Sequence, residues 1–434
     1  MNILAKEMND SLEKSSKIFF DMLSKFGREI YMPKGIIVQS AEAKQLAKKY
    51  NATIGIAREN NAPMHLPSLK KFFNDLSPDE TFEYALAAGR AELRNLWKKK
   101  IVEENPNIKD EANISIPIVT GGLTNALMIV GDLFIDEGDE IIIPDKLWEN
   151  YNLMYETRFG AKVKYFSLFD EKLTGFNTKS LDKAIEDSKK DKIMILLNFP
   201  NNPTGYTPTI SEVEEISKII KKHADSGKKI LMICDDAYYG LLYEDNLIKS
   251  SIFNKMFSLS KNVAAIKIDG ISKEEYAWGF RIGFITFMDY DRVPETYRVL
   301  EQKVTATLRC SISNCNNASQ AIVEKVMNKE EHKKEKIEKL AILKARAVKT
   351  KEIVYNKKYS DCWDVYPFNS GYFMCIKPKG VGANDVRVEA LKQGVGTIAL
   401  GDDLRVAFSG VDIGGLEELF EILANVIKEL QKKK

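Results

Sequence analysis

From about residue 115 the chain alternates between two hydrophobic rhythms. Short apolar runs bounded by Gly, Pro, Asn and Asp occur at 116–119, 140–143, 162–166, 193–197, 230–234, 263–268 and 282–287. Helical spacing of apolar positions fills 124–135, 179–189 and 210–225 between them. Runs of this length next to turn residues predict buried strands, and the strand–helix alternation predicts a mainly parallel sheet with helices on both faces. Upstream, 3–30 has Leu12, Phe19, Phe20, Met22, Leu23 and Phe26 near helical spacing and predicts one helix. A charged helix is expected over 41–50, an irregular loop over 52–67 and a long helix over 84–104, stopping before Asn105-Pro106. After 292 the pattern is mostly helical. The Lys/Glu-rich stretch 325–350 predicts one solvated helix, followed by short strands near 363–366, 371–376 and 404–408 and a last amphipathic helix at 415–431.

A chain of 434 residues exceeds one simple core. The expected fold class is α/β, with a large domain over 67–324 and a smaller α+β domain from 1–66 and 325–434. Lys and Arg exceed Asp and Glu by only two, 64 against 62, which gives no electrostatic reason to expect nucleic acid or an anionic membrane as partner. The start of the chain lacks an apolar signal core and no run of 18 apolar residues occurs, so the cytoplasm is the expected compartment. Five scattered cysteines without a CxxC pair suggest free thiols and no metal site. The three histidines, His65, His223 and His332, form no catalytic grouping. His223 and His332 stand among lysines and are expected to be solvated.

Four local signals sit at the ends of predicted strands, where open α/β sheets bind their ligands. Thr120-Gly121-Gly122-Leu123-Thr124 ends a strand and opens a helix. Such a Gly pair is ordinarily a tight turn, but the backbone N–H groups of a helix N-terminus also suit a phosphate. Asn198-Phe199-Pro200-Asn201-Asn202-Pro203-Thr204-Gly205 follows a buried strand. Asp235-Asp236-Ala237-Tyr238 follows another, where a lone Asp would ordinarily be read as a helix cap. The last signal is a lysine, with two candidates, Lys261 in Ser258-Leu259-Ser260-Lys261 and Lys273 in Ser272-Lys273.

The Asn-Pro-Thr-Gly string, with DxAY and GxRxG at the right distances, resembles the class I/II aminotransferases, fold-type I enzymes dependent on pyridoxal 5'-phosphate (PLP) and related to aspartate aminotransferase. The resemblance runs from about Ala52 to Gly410. It implies a cofactor held as a Schiff base on a lysine eight residues before the Arg of GxRxG. Gly279-Phe280-Arg281-Ile282-Gly283 places that Arg at 281 and so selects Lys273. The matching position for Lys261 is Asp269, which would repel a phosphate. Gly270 stands where the family often has a Ser. By the same resemblance Asp235 contacts the cofactor ring nitrogen and Tyr238 the ring hydroxyl. Gly122, Leu123, Thr124, Ser272 and Arg281 surround the phosphate, and Trp148 stacks on the ring. Tyr84 reaches the phosphate of a neighbouring subunit in a homodimer. Gly55, Asn202 and Arg405 meet the substrate α-carboxylate, and an Arg in an apolar strand calls for such a bidentate partner. Leu308-Arg309-Cys310-Ser311-Ile312-Ser313-Asn314 resembles the stretch whose Arg binds a distal carboxylate from the partner subunit, although Cys315-Asn316 replaces the usual prolines.

The implied function is transfer of the amino group of an L-amino acid, aspartate, glutamate or an aromatic one, to a 2-oxo acid by a ping-pong mechanism. Lyases share this fold and lysine and are the alternative. A PLP-binding transcription regulator is disfavoured, because fewer than about eighty residues precede the first motifs and they lack a basic recognition helix.

Overall fold

A computed structural model describes residues 1–33 and 35–433. Seven strands form the main sheet: β1 (Ile118–Thr120), β2 (Glu140–Pro144), β3 (Lys162–Phe166), β4 (Lys192–Asn198), β5 (Lys229–Asp235), β6 (Val263–Gly270) and β7 (Gly283–Asp289). Their order is β1-β7-β6-β5-β4-β2-β3. All neighbours are parallel except β7, which runs antiparallel to both β1 and β6. Each run seen in the sequence is a strand. β4 and β5 are buried almost end to end, which explains their unbroken apolar texture: helices cover both faces.

The helices that matter for the site are α1 (Ala91–Glu104), α2 (Leu123–Phe134), α3 (Ile210–Asp225), α4 (Pro294–Ser311), α5 (Glu330–Val354) and α6 (Leu416–Lys432). A capping box between Thr209 and Glu212 starts α3. A second, four-stranded antiparallel sheet contains β8 (Trp363–Val365), β9 (Met374–Pro378), β10 (Ile398–Leu400) and β11 (Asp403–Val406), in the order β8-β9-β11-β10.

The structure departs from the sequence pattern in several places. Residues 3–30 form three helices, Ile3–Ser15, Lys17–Asp21 and Lys25–Glu29, because Ser16 is extended and Ser24 caps a new start. The charged helix sits earlier, at Ile36–Leu46, since Tyr50–Asn51 pairs with Val395–Gly396 as a short parallel ladder. The expected loop 52–67 contains a small hairpin, Arg58–Glu59 against Ala62–Pro63, turned by Asn60 and Asn61 with φ of 51° and 61°. α1 begins only at Ala91, after Gly89 with φ 99°. His223 and His332 are buried rather than solvated. His223 Nε2 lies 2.6 Å from Asp182 Oδ1, and His332 Nε2 lies 2.6 Å from Glu275 Oε2. α5 also buries Glu335 and Arg346, so its charged sequence does not mean an exposed helix.

Gly205 joins the two sheets. Its carbonyl accepts from the backbone N–H groups of both Asn369 and Ser370 at 2.9 Å, and its φ is 71°. A Cβ there would stand 1.9 Å from the Phe373 carbonyl oxygen. Gly240 has a similar φ of 80° but open space around it. Gly240→Ala is therefore expected to cost about 1–2 kcal/mol from backbone conformation alone. Gly205→Ala must add a backbone displacement and should cost clearly more. Paired urea titrations check this, and equal losses would show that the contact with residue 373 carries no strain.

Candidate active site

The ends of β4, β5 and β6, the N-terminus of α2 and the strand β11 converge on a cavity of about 360 Å3. β5 ends in Asp235, whose register partner on β6 is Ile268, five residues before Lys273. Parallel pairing thus brings a carboxylate from one strand end and a lysine just beyond the next to one edge of the sheet.

Asp235 is buried and accepts two hydrogen bonds, from Tyr151 Oη at 2.5 Å and from the Ala237 N–H at 3.1 Å. Burial pushes its carboxyl above the ordinary value, against the Tyr151 bond, the Lys273 charge and the Ala237 N–H. Lys273 Nζ stands 5.0 Å from the centre of the Tyr238 ring. Burial drives its ammonium down to about 8, opposed by Asp235 and helped by the positive charge of Arg281. The amine is therefore available near neutrality, as a group that condenses with a carbonyl or moves a proton must be.

At the opposite end, Gly122 takes φ 89° as it caps α2. A Cβ on Gly122 would lie 2.5 Å from Arg281 Nη2, so only glycine admits the guanidinium this close. Arg281 itself is left-handed, with φ 55°. Ser272 Oγ is buried without a hydrogen-bond partner. The free N–H groups of a helix start, an unpartnered hydroxyl and a guanidinium make a tetrahedral-anion cradle. Together with a buried acid and a lysine, this donor set fits PLP, whose phosphate Gly122, Leu123, Thr124, Ser272 and Arg281 would hold and whose ring nitrogen Asp235 would meet.

Arg405, on β11, is 2% exposed and points into the same cavity. Its Nη1 donates to Asn202 Oδ1 and its Nη2 to the Thr53 carbonyl, each at 2.9 Å, while Nε has no partner. Its guanidinium lies 4.3 Å from the Phe373 ring centre. A buried guanidinium with spare donors is a carboxylate receptor. Asn202 is held in turn, its N–H donating to Asn198 Oδ1 at 2.9 Å, while Asn198 Nδ2 donates to the Asp235 carbonyl at 2.8 Å. Gly55 leaves room beside Phe373 and Tyr238, whose atoms would be 3.4 and 3.6 Å from a Cβ.

The cavity thus unites Gly55, Leu123, Thr124, Trp148, Asn202, Asp235, Tyr238, Ser272, Lys273, Arg281 and Arg405, with Gly122 against Arg281. Tyr84 and Arg309 do not join it within one chain. Tyr84 is 87% exposed, and Arg309 donates to Ser313 Oγ at 2.7 Å on the surface at the end of α4. Lys261 is exposed, and Asp269 is buried against Lys267 at 2.9 Å. Sequence reasoning missed Tyr151, Asn198 and Trp278. Tyr151 lies three residues after Trp148, one helical turn on, and that spacing was the available signal.

The fold and this constellation define a fold-type I, PLP-dependent class of protein. The chain belongs to the aminotransferase class I and II family, whose model matches residues 47–423. It is 28% identical to the aspartate aminotransferase of Bacillus subtilis (strain 168) over 255 residues, 58% of this chain and 60% of that protein. It is 32% identical to the aspartate aminotransferase of Sulfurisphaera tokodaii over 214 residues, 48% of this chain and 49% of that one. The chain thus spans about half to three-fifths of the length of these curated relatives. A crystal structure of an aminotransferase from Anaerococcus prevotii DSM 20548 superposes with a TM-score of 0.82 at 27% identity, covering 93% of this chain and 98% of that one.

The depressed Lys273 ammonium gives a signed prediction. In the cofactor-free chain, acylation of Lys273, followed by mass spectrometry, should rise with pH around a midpoint near 8. Asp235→Asn removes a charge that favours the ammonium and should move the midpoint down; Arg281→Gln should move it up. Because the unfolded lysine titrates near 10.5, folding stability should rise with pH between about 8 and 10.5, where only the unfolded chain still holds this proton. A midpoint at the ordinary lysine value would refute the burial argument.

Proposed function

We propose that this chain is a PLP-dependent aminotransferase, with Lys273 as the cofactor lysine. In this reading 67–324 is the cofactor-binding domain, and 1–66 with 325–434 form the smaller one. The observation that carries the reading is the meeting of Asp235, Lys273, Arg281 and Arg405 in one cavity. When bound there, PLP supplies an aldehyde for the substrate amine and a protonated ring that draws off electrons.

The chain's own residues do the rest. Arg405, steadied by Asn202, grips the α-carboxylate of the amino acid and so fixes the direction of its Cα–H bond. Lys273 Nζ, a free amine near neutrality, would take the proton from Cα and hold it for return during turnover. Asp235 holds the proton at the ring nitrogen, and its bond from Tyr151 keeps it aimed. Tyr238 is placed to meet the ring hydroxyl, and Trp148 to cover the ring. Release of a 2-oxo acid and reversal with a second 2-oxo acid give ping-pong turnover. The test is a screen of the twenty amino acids against pyruvate and 2-oxoglutarate. Turnover that depends on the 2-oxo acid supports transamination, whereas product formation without it would make the chain a lyase.

Lys273→Ala should lose both the near-visible absorbance of the bound cofactor and all turnover, while Lys261→Ala keeps both. The reverse result would place the cofactor on the wrong lysine.

The substrate set in this reading includes aspartate or glutamate, and the protein is a homodimer. Lys273, Arg281 and Arg405 are the basic groups lining the cavity, and each already has a role. A distal carboxylate therefore needs a cation from elsewhere, and Arg309 of a second copy supplies it. The exposed apolar run of Phe82, Tyr84 and Leu86 offers the surface for that copy. A cytoplasmic location accords with the finding that, among the described residues, no helix is long and apolar enough to cross a membrane. An Arg–carboxylate bond in a water-poor cleft contributes about 1.5–3 kcal/mol, so Arg309→Ala should lower kcat/KM for aspartate by roughly 10- to 200-fold and spare alanine. Equal losses for both substrates would make Arg309 structural. Mixed Tyr84→Phe and Lys273→Ala subunits should complement only if sites are shared, and an active monomer in ultracentrifugation would contradict the dimer.

A further inference from the structure

Lys273 stands in one short helical turn, Ile271–Glu274, and the two residues after it are both acids. Ser272 and Lys273 line the candidate active site, whereas Glu274 and Glu275 reach α1 and α5 instead. Glu274 is 5% exposed and Glu275 2%, so both carboxylates are held out of water. Lys100 on α1 meets Glu274 at 2.7 Å. Lys336 on α5 meets Glu275 at 2.7 Å and Glu274 at 3.2 Å, and His332 Nε2 lies 2.6 Å from Glu275 Oε2. Burial opposes charge on both acids, yet the neighbouring lysines hold both carboxyls below the ordinary value.

The backbone does little to tie this turn to its surroundings. The N–H groups of Glu275 and Tyr276 donate to the carbonyls of Ile271 and Lys273, which are bonds within the turn. From outside, the Tyr372 hydroxyl donates to the Lys273 carbonyl at 3.2 Å. The charge-assisted bonds of Glu274 and Glu275 are the shorter and stronger ties. Lys336 takes part in two of them. Ten residues further along α5, Arg346 donates to the Ser409 carbonyl at 2.6 Å, four residues past Arg405. α5 thus has one tie to the turn of Lys273 and a separate one to the chain after Arg405.

We propose that Lys336 is a positioning residue for Lys273: by binding Glu274 and Glu275 it fixes the turn to α5 and keeps the Lys273 amine in the cavity that Asp235 lines. The role rests on the reading of Lys273 as the cofactor lysine, and it acts through the backbone. The charged groups that act on Lys273 directly are Asp235 and Arg281, with the Tyr238 ring beside it. Glu274 and Glu275 are engaged by Lys100, Lys336 and His332. Loss of Lys336 strands buried carboxylates, which pull the turn open toward water. Water at Lys273 then favours its ammonium form.

The first readout is acylation of Lys273 in the full-length, cofactor-free chain, followed by mass spectrometry. In Lys336→Met the midpoint should rise from about 8 toward the ordinary lysine value. Glu275→Gln breaks the same tie but leaves Lys336 paired with Glu274, so it strands no buried charge and keeps the test alive if Lys336→Met does not fold. It too should raise the midpoint, by a smaller step. A direct charge effect would differ in sign between the two, since losing a cation raises the midpoint and losing an anion lowers it. In the cofactor-loaded protein Lys336→Met should lower kcat by roughly 10- to 100-fold, the order expected for a misplaced reacting group. KM should change by less than about twofold, because Arg405 keeps its own ties. Lys336→Arg should recover most of both readouts. Lys351→Met breaks another ion pair of α5, with Glu244, and should leave both readouts native. The proposal is overturned if the midpoint in Lys336→Met stays near 8, if Glu275→Gln lowers it, or if Lys351→Met moves the readouts as far as Lys336→Met does. The expected midpoint shifts in a chain that transaminates no amino acid would uphold the positioning of Lys273 and remove the proposed function.

Discussion

A carboxylate withdrawn from water costs several kcal/mol unless donors or a cation compensate it, and Asp235 sits under that constraint at the end of the fifth strand of the main sheet. Two donors, Tyr151 and the Ala237 N–H, meet it, and Lys273 provides the nearby positive charge. The rest of the site follows from satisfying this group. β5 must lie beside and parallel to β6, so that the loop after β6 brings its lysine round to the carboxylate. β4 must lie on the other side, so that Asn198 can hold the Asp235 backbone and pass that order on to Asn202 and Arg405. A protonated ring nitrogen is then a natural ligand, since it brings a donor to an acid that burial would otherwise push toward protonation.

The same burial serves catalysis from the other side. Burial disfavours charge on both groups: it raises the Asp235 carboxyl, where Tyr151, the Ala237 N–H and Lys273 work to keep the anion, and it lowers the Lys273 ammonium to about 8, which leaves a free amine near neutrality. Arg405 pays a related cost, for it is buried with one nitrogen unpartnered, which a substrate carboxylate would complete. Gly205 ties the second sheet to the turn that carries Asn202, so Asn202 and Arg405 are referred to one rigid frame.

How legible this was depended on whether a feature was local. Gly122, Asn202, Asp235 and Arg281 stand at strand ends, in local strings whose resemblance to a known family was enough to gather them. The seven strands were legible because burial on both faces leaves unbroken apolar runs. Tyr151, Trp278 and His332 were not, because each acquires its surroundings from partners far away in the chain: His332 from Glu275, 57 residues away, and Tyr151 from Asp235, 84 residues away. The charge run of α5 misled for the same reason, since most of its ion pairs reach outside the helix, among them His332 to Glu275 and Lys336 to Glu274 and Glu275. Residues 3–30 read as one helix because apolar spacing continues across Ser16 and Ser24, where the backbone breaks. Tyr84 and Arg309 lie outside the cavity of their own chain, and the roles proposed for them would need a second copy.

The central claim is that this cavity carries an amino group from a substrate onto its cofactor and stops there until an acceptor arrives. Its most direct measurement is a half-reaction: cofactor-loaded protein mixed with excess amino donor and no 2-oxo acid, followed by product counting. The account predicts one equivalent of 2-oxo acid per chain, complete loss of the near-visible cofactor band, and recovery of that band when a 2-oxo acid is added. Continued release of product beyond one equivalent, or free ammonia in its place, would contradict it.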